Sequence, residues 1–412
     1  MRARTLLAAA LLGLAGTLVS TASAAATPTC ADAAVPLTVE EQRLTQPKPQ
    51  EVLQRSGFDR FERLFTPSLC ALPNAHVATL AIKAQGRALW AAAVARAQGR
   101  LPAGTLPVTD DRPLYWARLQ LTKALRQWTP RFPLNADARA RLVDVLEQSS
   151  RGQDSIRYPG HTLRILVSGF DPFQLDVDIR RSNPSGATAL ALDGTVIDTP
   201  AGRARIETAM FPVLWDPFAA GVVERTFAPV LPHVDMFTTV SQGRVGRFDV
   251  ERYNGRWRGG FPDNDNLSRT EVIPIPAGVP TVTPAPEFVP TTLPYAAIVA
   301  AQTGRFPVFD HTDVTEIPAG QTTPVASPTG PTPGSVARAG GGGNYLSNEI
   351  AYRATLLRDA LGLRIPGGHV HTPVLEFGAG NTTELTDPTF EANQLDIINQ
   401  VRAILTVAAG TL

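Results

Sequence analysis

Apolar positions along the chain follow two regimes. Up to about residue 155 they recur at helical spacing; beyond about 160, short runs of branched residues alternate with helical stretches. The Ala-rich stretch 76–98 is helix-prone. Pro113 opens a helix over 113–128 with Leu114, Ala117, Leu121, Ala124, Leu125 and Trp128 on one face. Asn135 or Asp137 starts another helix that runs through Leu142 and Leu146. Residues 27 to about 75 read as loop-rich, with one short helix over about 51–64. The first part of the chain, 27–155, is thus a helical region, and its role is not legible.

At His161 the pattern changes. Leu163-Arg164-Ile165-Leu166-Val167-Ser168 is a strand that ends in the turn Gly169-Phe170-Asp171-Pro172-Phe173, the form in which an α/β sheet presents a loop at its carboxyl edge. Asn183-Pro184-Ser185-Gly186 caps a small-residue helix through Leu192. Strands follow at 196–197, 206–210 and 234–240, with a helix over 218–227 between the last two. Residues 273–293 are Pro/Thr/Val-rich and extended, and a short helix begins at Leu293. The stretch 308–338, rich in Pro, Thr and Gly, reads as an insertion outside the core elements. A strand over 367–377 and an amphipathic helix over 396–407 complete an α/β layered domain spanning about 160–410.

Between the insertion and that strand lies Gly340-Gly341-Gly342-Gly343-Asn344-Tyr345-Leu346-Ser347-Asn348-Glu349-Ile350. Ile350, Ala354, Leu357 and Leu361 mark a helix whose N-terminus falls at or near Ser347. Free backbone N–H groups and the positive end of the helix dipole would stabilise an anion developing there. The upstream glycines would let a substrate backbone come close. The alternative is a serine that caps the helix and does nothing more. A serine nucleophile needs a base within reach and a third group to orient that base. Of six histidines, His369 and His371 sit two apart on the strand that follows and share a face, whereas His311 falls in the insertion. Asp249 and Glu251 are the carboxylates near a strand end. His369-x-His371 lacks a third ligand at convincing spacing, so a metal site is disfavoured. No Gly-Lys-Ser/Thr follows the glycines and no Gly-x-Ser-x-Gly occurs, which argues against a phosphate loop and an ordinary α/β-hydrolase.

Composition adds a compartment. The net charge of +1 in 412 residues gives no support for a nucleic-acid or anionic-membrane partner. Arg2 and Arg4, the apolar run 6–19 and the small residues 20–26, including Ala22-Ser23-Ala24, read as a secretory signal cut after about Ala24. The mature chain is then expected in the periplasm or outside the cell, with no membrane attachment after cleavage. Export would join the two cysteines, Cys30 and Cys70, in one disulfide.

Five landmarks in order resemble the pyroglutamyl-peptidase I family, peptidase family C15. They are Ile165-Leu166-Val167-Ser168-Gly169-Phe170-Asp171-Pro172-Phe173; Asn183-Pro184-Ser185; Gln242, Glu251-Arg252 and Pro262-Asp263-Asn264; Tyr345-Leu346-Ser347-Asn348; and His371-Thr372-Pro373. They span about 161–377. The resemblance implies a three-layer α/β/α domain with a mixed sheet, behind the helical region. It implies a hydrolase that removes N-terminal pyroglutamate from small peptides without a cofactor, and it leaves a homo-oligomer open. By the same resemblance Glu251 orients the general base His371, and Ser347 stands where the family has its cysteine. Phe170, Phe173, Tyr345 and Leu346 would line a flat apolar pocket for the lactam ring, with Gln242 as a polar contact. A serine hydroxyl, unlike a thiol, depends wholly on its base. Loss of the family thiol leaves a second expectation: a relative without catalysis, acting as a binding or structural protein. The Arg244-Val245-Gly246-Arg247 stretch also departs from the family's spacing before Glu251.

Overall fold

A computed structural model describes residues 30–412; the secretory signal expected over 1–24 lies outside them. A seven-stranded mixed sheet forms the centre, in the spatial order Val308–His311, Phe248–Glu251, Gly367–Thr372, Met236–Gln242, Leu163–Phe170, Gly202–Phe211, Val196–Thr199. Gly367–Thr372, Met236–Gln242, Leu163–Phe170 and Gly202–Phe211 run parallel; Phe248–Glu251 is antiparallel to Gly367–Thr372, and Val308–His311 is parallel to Phe248–Glu251. On one face Ile165, Val167 and Ile206 pack on Ile397, Val401 and Ile404 of the helix Pro388–Ala409. On the other, Leu166, Phe211 and Phe237 pack on Val223 and Phe227 and on Ile350, Ala354 and Leu357 of the helix Leu346–Ala360. The result is a three-layer α/β/α domain with a mixed sheet, preceded by helices. Among the described residues, no helix is long and apolar enough to cross a membrane.

The helical region holds Pro47–Ser56, Arg60–Cys70, Ala75–Ala97, Arg112–Gln127 and Ala136–Ser149. The expected helix over 51–64 is two helices, because Gly57 takes a left-handed conformation (φ 72°) that ends the first. Asn135 caps the last helix through the Ala138 amide. Cys30 and Cys70 form a disulfide. The region's apolar core runs on into Leu175, Leu190, Met210 and Leu385 of the α/β domain, so the two share one interior.

The stretch 308–338 is not an insertion outside the core elements. Val308–His311 is an edge strand of the central sheet, and Val314–Ile317, Val325–Ser327 and Val336–Ala339 form a small antiparallel sheet. Its Pro- and Gly-rich composition belongs to the turns between those strands.

Candidate active site

The carboxyl ends of the parallel strands Leu163–Phe170, Met236–Gln242 and Gly367–Thr372 open on a cleft of about 630 Å³, where ligands bind in sheets of this kind. Its lining brings together Ser347, His371, Glu251, Phe170, Phe173, Gln242, Tyr345 and Leu346, the residues to which the family resemblance gives a part in chemistry or substrate contact.

Ser347 is not the helix cap. Tyr345 holds that position without a side-chain hydrogen bond, and the first helical residue is Leu346. The N–H groups of the first turn have no acceptor within the helix. Ser347 Oγ donates to the Gly342 carbonyl at 3.0 Å. The helix is firmly seated. Buried Glu349 accepts from Arg258 (2.6 and 2.7 Å) and Arg353 (2.9 Å). Asn348 bonds the Gly255 N–H at 2.8 Å and the Gly255 carbonyl at 2.6 Å.

Glu251 ends its strand fully buried, between two imidazoles. Its Oε1 is 2.6 Å from His371 Nδ1 and its Oε2 is 2.6 Å from His311 Nδ1. Burial alone would push this carboxyl up, but the bonds from His311 and His371 outweigh it and hold the pKa at about 2. An ionised carboxylate only accepts, so both Nδ1 atoms carry the proton. In the neutral imidazole this leaves the lone pair of His371 on Nε2. Two glycines make room: a Cβ on Gly341 would stand 2.1 Å from Glu251 Oε2, and one on Gly243 would stand 2.6 Å from the His371 Cβ. The glycine run therefore admits the carboxylate of this site, a use that was not expected of it.

The other candidates separate cleanly. His369, two residues from His371, is buried with Nδ1 2.7 Å from Thr239 Oγ1 and Nε2 2.8 Å from Ser241 Oγ. Burial, then the neighbouring His371, push its pKa well down, so it is a neutral core residue. Asp249 is paired with Arg247 at 3.0 Å. His311, set aside in the sequence as part of an insertion, is the residue that sequence reasoning missed. Its Nε2 lies 2.6 Å from Arg244 Nη2.

The opposite wall is the 169–173 turn. Asp171 accepts from Arg151 at 2.7 and 2.9 Å and from Arg118. Arg118 comes from the helical region, which also supplies Glu40 and Arg43. Asn264 Nδ2 donates to Glu40 and to the Pro172 carbonyl, both at 2.9 Å. Arg43 forks onto Asp176 at 2.7 and 2.8 Å and itself lines the cleft. Phe173 and Tyr345 face each other with ring centroids 6.3 Å apart.

Both parts of the chain match known families. A model described as the PA0049 N-terminal domain matches residues 21–147, and one described as the PA0049 C-terminal domain matches 164–287 and 305–376. The Pseudomonas aeruginosa protein described as "Uncharacterized protein PA0049" is 35% identical, over 91% of this chain and 90% of that protein. Among solved structures, a mutant pyrrolidone carboxyl peptidase from Pyrococcus furiosus matches with 22% identity and a TM-score of 0.40, over 61% of this chain and all of that one. The pyroglutamyl peptidase I from Bacillus amyloliquefaciens matches with 19% identity and a TM-score of 0.39, over 60% of this chain and 96% of that one.

Proposed function

The chain belongs to the PA0049 family, and from that premise we propose that it is an exported hydrolase that removes N-terminal pyroglutamate from peptides through Ser347, His371 and Glu251. The observation that carries this reading is the bond from His371 to the buried, ionised Glu251 inside the cleft that Ser347 also lines. The five sequence landmarks supply the choice of substrate.

In the proposed reaction Ser347 Oγ turns from the Gly342 carbonyl toward His371 Nε2 and attacks the carbonyl that joins pyroglutamate to the next residue. The Oγ proton passes to Nε2, and Glu251 stabilises the imidazolium. The first-turn N–H groups receive the oxyanion. Collapse breaks the C–N bond, and Nε2 protonates the departing amine. Water, deprotonated by the same nitrogen, then releases pyroglutamate from the acyl-enzyme. Phe170, Phe173, Tyr345 and Leu346 hold the lactam ring, and Gln242 is its polar contact.

One observation favours the second reading, a binding or structural protein without turnover: the Ser347 hydroxyl is engaged with the Gly342 carbonyl. Hydrolysis of a fluorogenic pyroglutamyl amide, with Ser347→Ala and Ser347→Cys alongside, separates the two. Turnover by the wild type that Ser347→Ala abolishes supports the hydrolase. A silent wild type that also resists a serine-directed fluorophosphonate supports the binding protein.

A further inference from the structure

Glu251 serves His311 as well as His371, and through His311 it reaches Arg244. A guanidinium has donors and no acceptor. His311 Nε2, 2.6 Å from Arg244 Nη2, therefore accepts while its Nδ1 donates to Glu251. The buried imidazole thus pins one nitrogen of Arg244. The rest of that side chain, 49% exposed, stands in the cleft lining. Its position there is set by the backbone: the Arg244 carbonyl accepts from the Val374 amide at 2.9 Å, and the Gly243 amide donates to the Thr372 carbonyl at 2.9 Å. Arg244 therefore lies on the His371 side, where the departing amine must be to take its proton.

The carboxylates of the cleft are already engaged. Asp176 is held by Arg43. Asp263 accepts from the amides of Trp215, Asp265 and Leu267 at 2.8 to 2.9 Å. Glu251 has its two histidines. Among the described residues only Asp249 brings a carboxylate within 4.0 Å of Arg244, at 3.9 Å from Nε, and Arg247 already pairs with it. Among the described residues Arg244 thus keeps donors to spare in the cleft lining, on the side of His371.

We propose that Arg244 receives a carboxylate carried by the leaving portion of the substrate. The favoured class is then pyroglutamyl dipeptides with a free C-terminus, or peptides with an acidic residue directly after pyroglutamate. This rests on the hydrolase reading above. A planar fork suits a carboxylate in a way that an ammonium does not.

The test compares pyroglutamyl-alanine, pyroglutamyl-alanine amide and pyroglutamyl-glutamate amide as substrates of the full chain and of Arg244→Gln and Arg244→Lys. The wild type should prefer a carboxylate-bearing substrate by about tenfold in kcat/KM, mostly through KM. In Arg244→Gln the ratio of acid to amide should fall to about one, and Arg244→Lys should restore only part of it. Preference for pyroglutamyl-alanine alone assigns the C-terminus as the source; preference for pyroglutamyl-glutamate amide assigns the side chain. Equal use of all three by the wild type overturns the proposal while leaving the hydrolase standing. If none is cleaved, the hydrolase reading fails. Calorimetric binding of the same three compounds to Ser347→Ala then decides the inference: acid-selective binding lost on adding Arg244→Gln upholds it, and absent or unselective binding ends it.

Discussion

On one side of the cleft Asp171 is clasped by Arg118 and Arg151, and Asn264 is tied to Glu40 and Pro172. On the other side Glu251 is clasped just as tightly by two histidines, yet among the described residues His371 makes no bond through Nε2 and Arg244 has donors left over. Both walls bury a carboxylate with two cationic or proton-bearing partners. The first wall uses its partners to hold a turn in place; the second presents His371 to the cleft directly and His311 only through Arg244. The helical region, which sequence alone leaves without a role, is the brace of the first wall. The cleft wall built on the 169–173 turn rests on it.

If the second wall is the chemical one, Glu251→Gln should have the largest effect. An amide cannot accept from both imidazoles as an anion, so His371 loses its fixed tautomer and the partner for its positive charge. A fall in kcat of about 10³–10⁴-fold on a pyroglutamyl amide is expected, with a cooperative thermal unfolding transition still present at a lowered midpoint. Full activity in this variant would place the chemistry elsewhere. The matching change on the first wall, Asp171→Ala, leaves Arg118 and Arg151 buried without their carboxylate. Urea unfolding should show a loss of about 3–5 kcal/mol. A loss under about 1 kcal/mol would mean that the brace is dispensable and that the first wall is not a structural one. Arg118→Met added to Asp171→Ala should recover part of the loss, since it removes one of the stranded charges.

Much of the fold is legible because periodicity is local. The helix 113–128, the strand at 163–168 and the Ser347 helix follow from spacing alone, and each is present as Arg112–Gln127, Leu163–Phe170 and Leu346–Ala360. The residues to which the landmarks give a part in chemistry or substrate contact line one cleft. What stays hidden is non-local. His311 reaches Glu251 only because Val308–His311 pairs in parallel with Phe248–Glu251, and nothing in a Pro/Thr-rich stretch announces that pairing. The branched and aromatic pair Val308-Phe309 after Pro307 was the available signal for a strand. Arg118 offered a clearer one. It falls at helical spacing between Leu114 and Leu121 on the apolar face of its helix, and a charge there demands a buried partner. The partner, Asp171, is 53 residues away.

The two walls should also respond to pH in opposite directions. Burial, with help from Asp265 and Asp171, raises Glu40 from 4.5 to about 7, and burial with Asp110 raises Asp111 from 3.8 to about 7. Glu207 is raised to about 7 as well, by burial and Asp193. These groups bind protons more tightly in the folded state. Their stabilisation is complete below the unfolded values and is lost as pH rises through about 7, because in that window the folded chain holds protons that the unfolded chain has released. Glu251 behaves the other way. Held at about 2 against an ordinary 4.5, it stabilises the fold above 4.5, and that contribution disappears as pH falls toward 2. Urea unfolding from pH 3 to 8 should therefore give a dome. Glu40→Gln should flatten its descending neutral limb by one group's share, up to about 1.4 kcal/mol per pH unit, and leave the acid limb as it was. Glu251→Gln should flatten the acid limb and leave the neutral one. If both variants altered the same limb, the two carboxyls would share one environment, and the division of the cleft into a bracing wall and a chemical wall would have to be withdrawn.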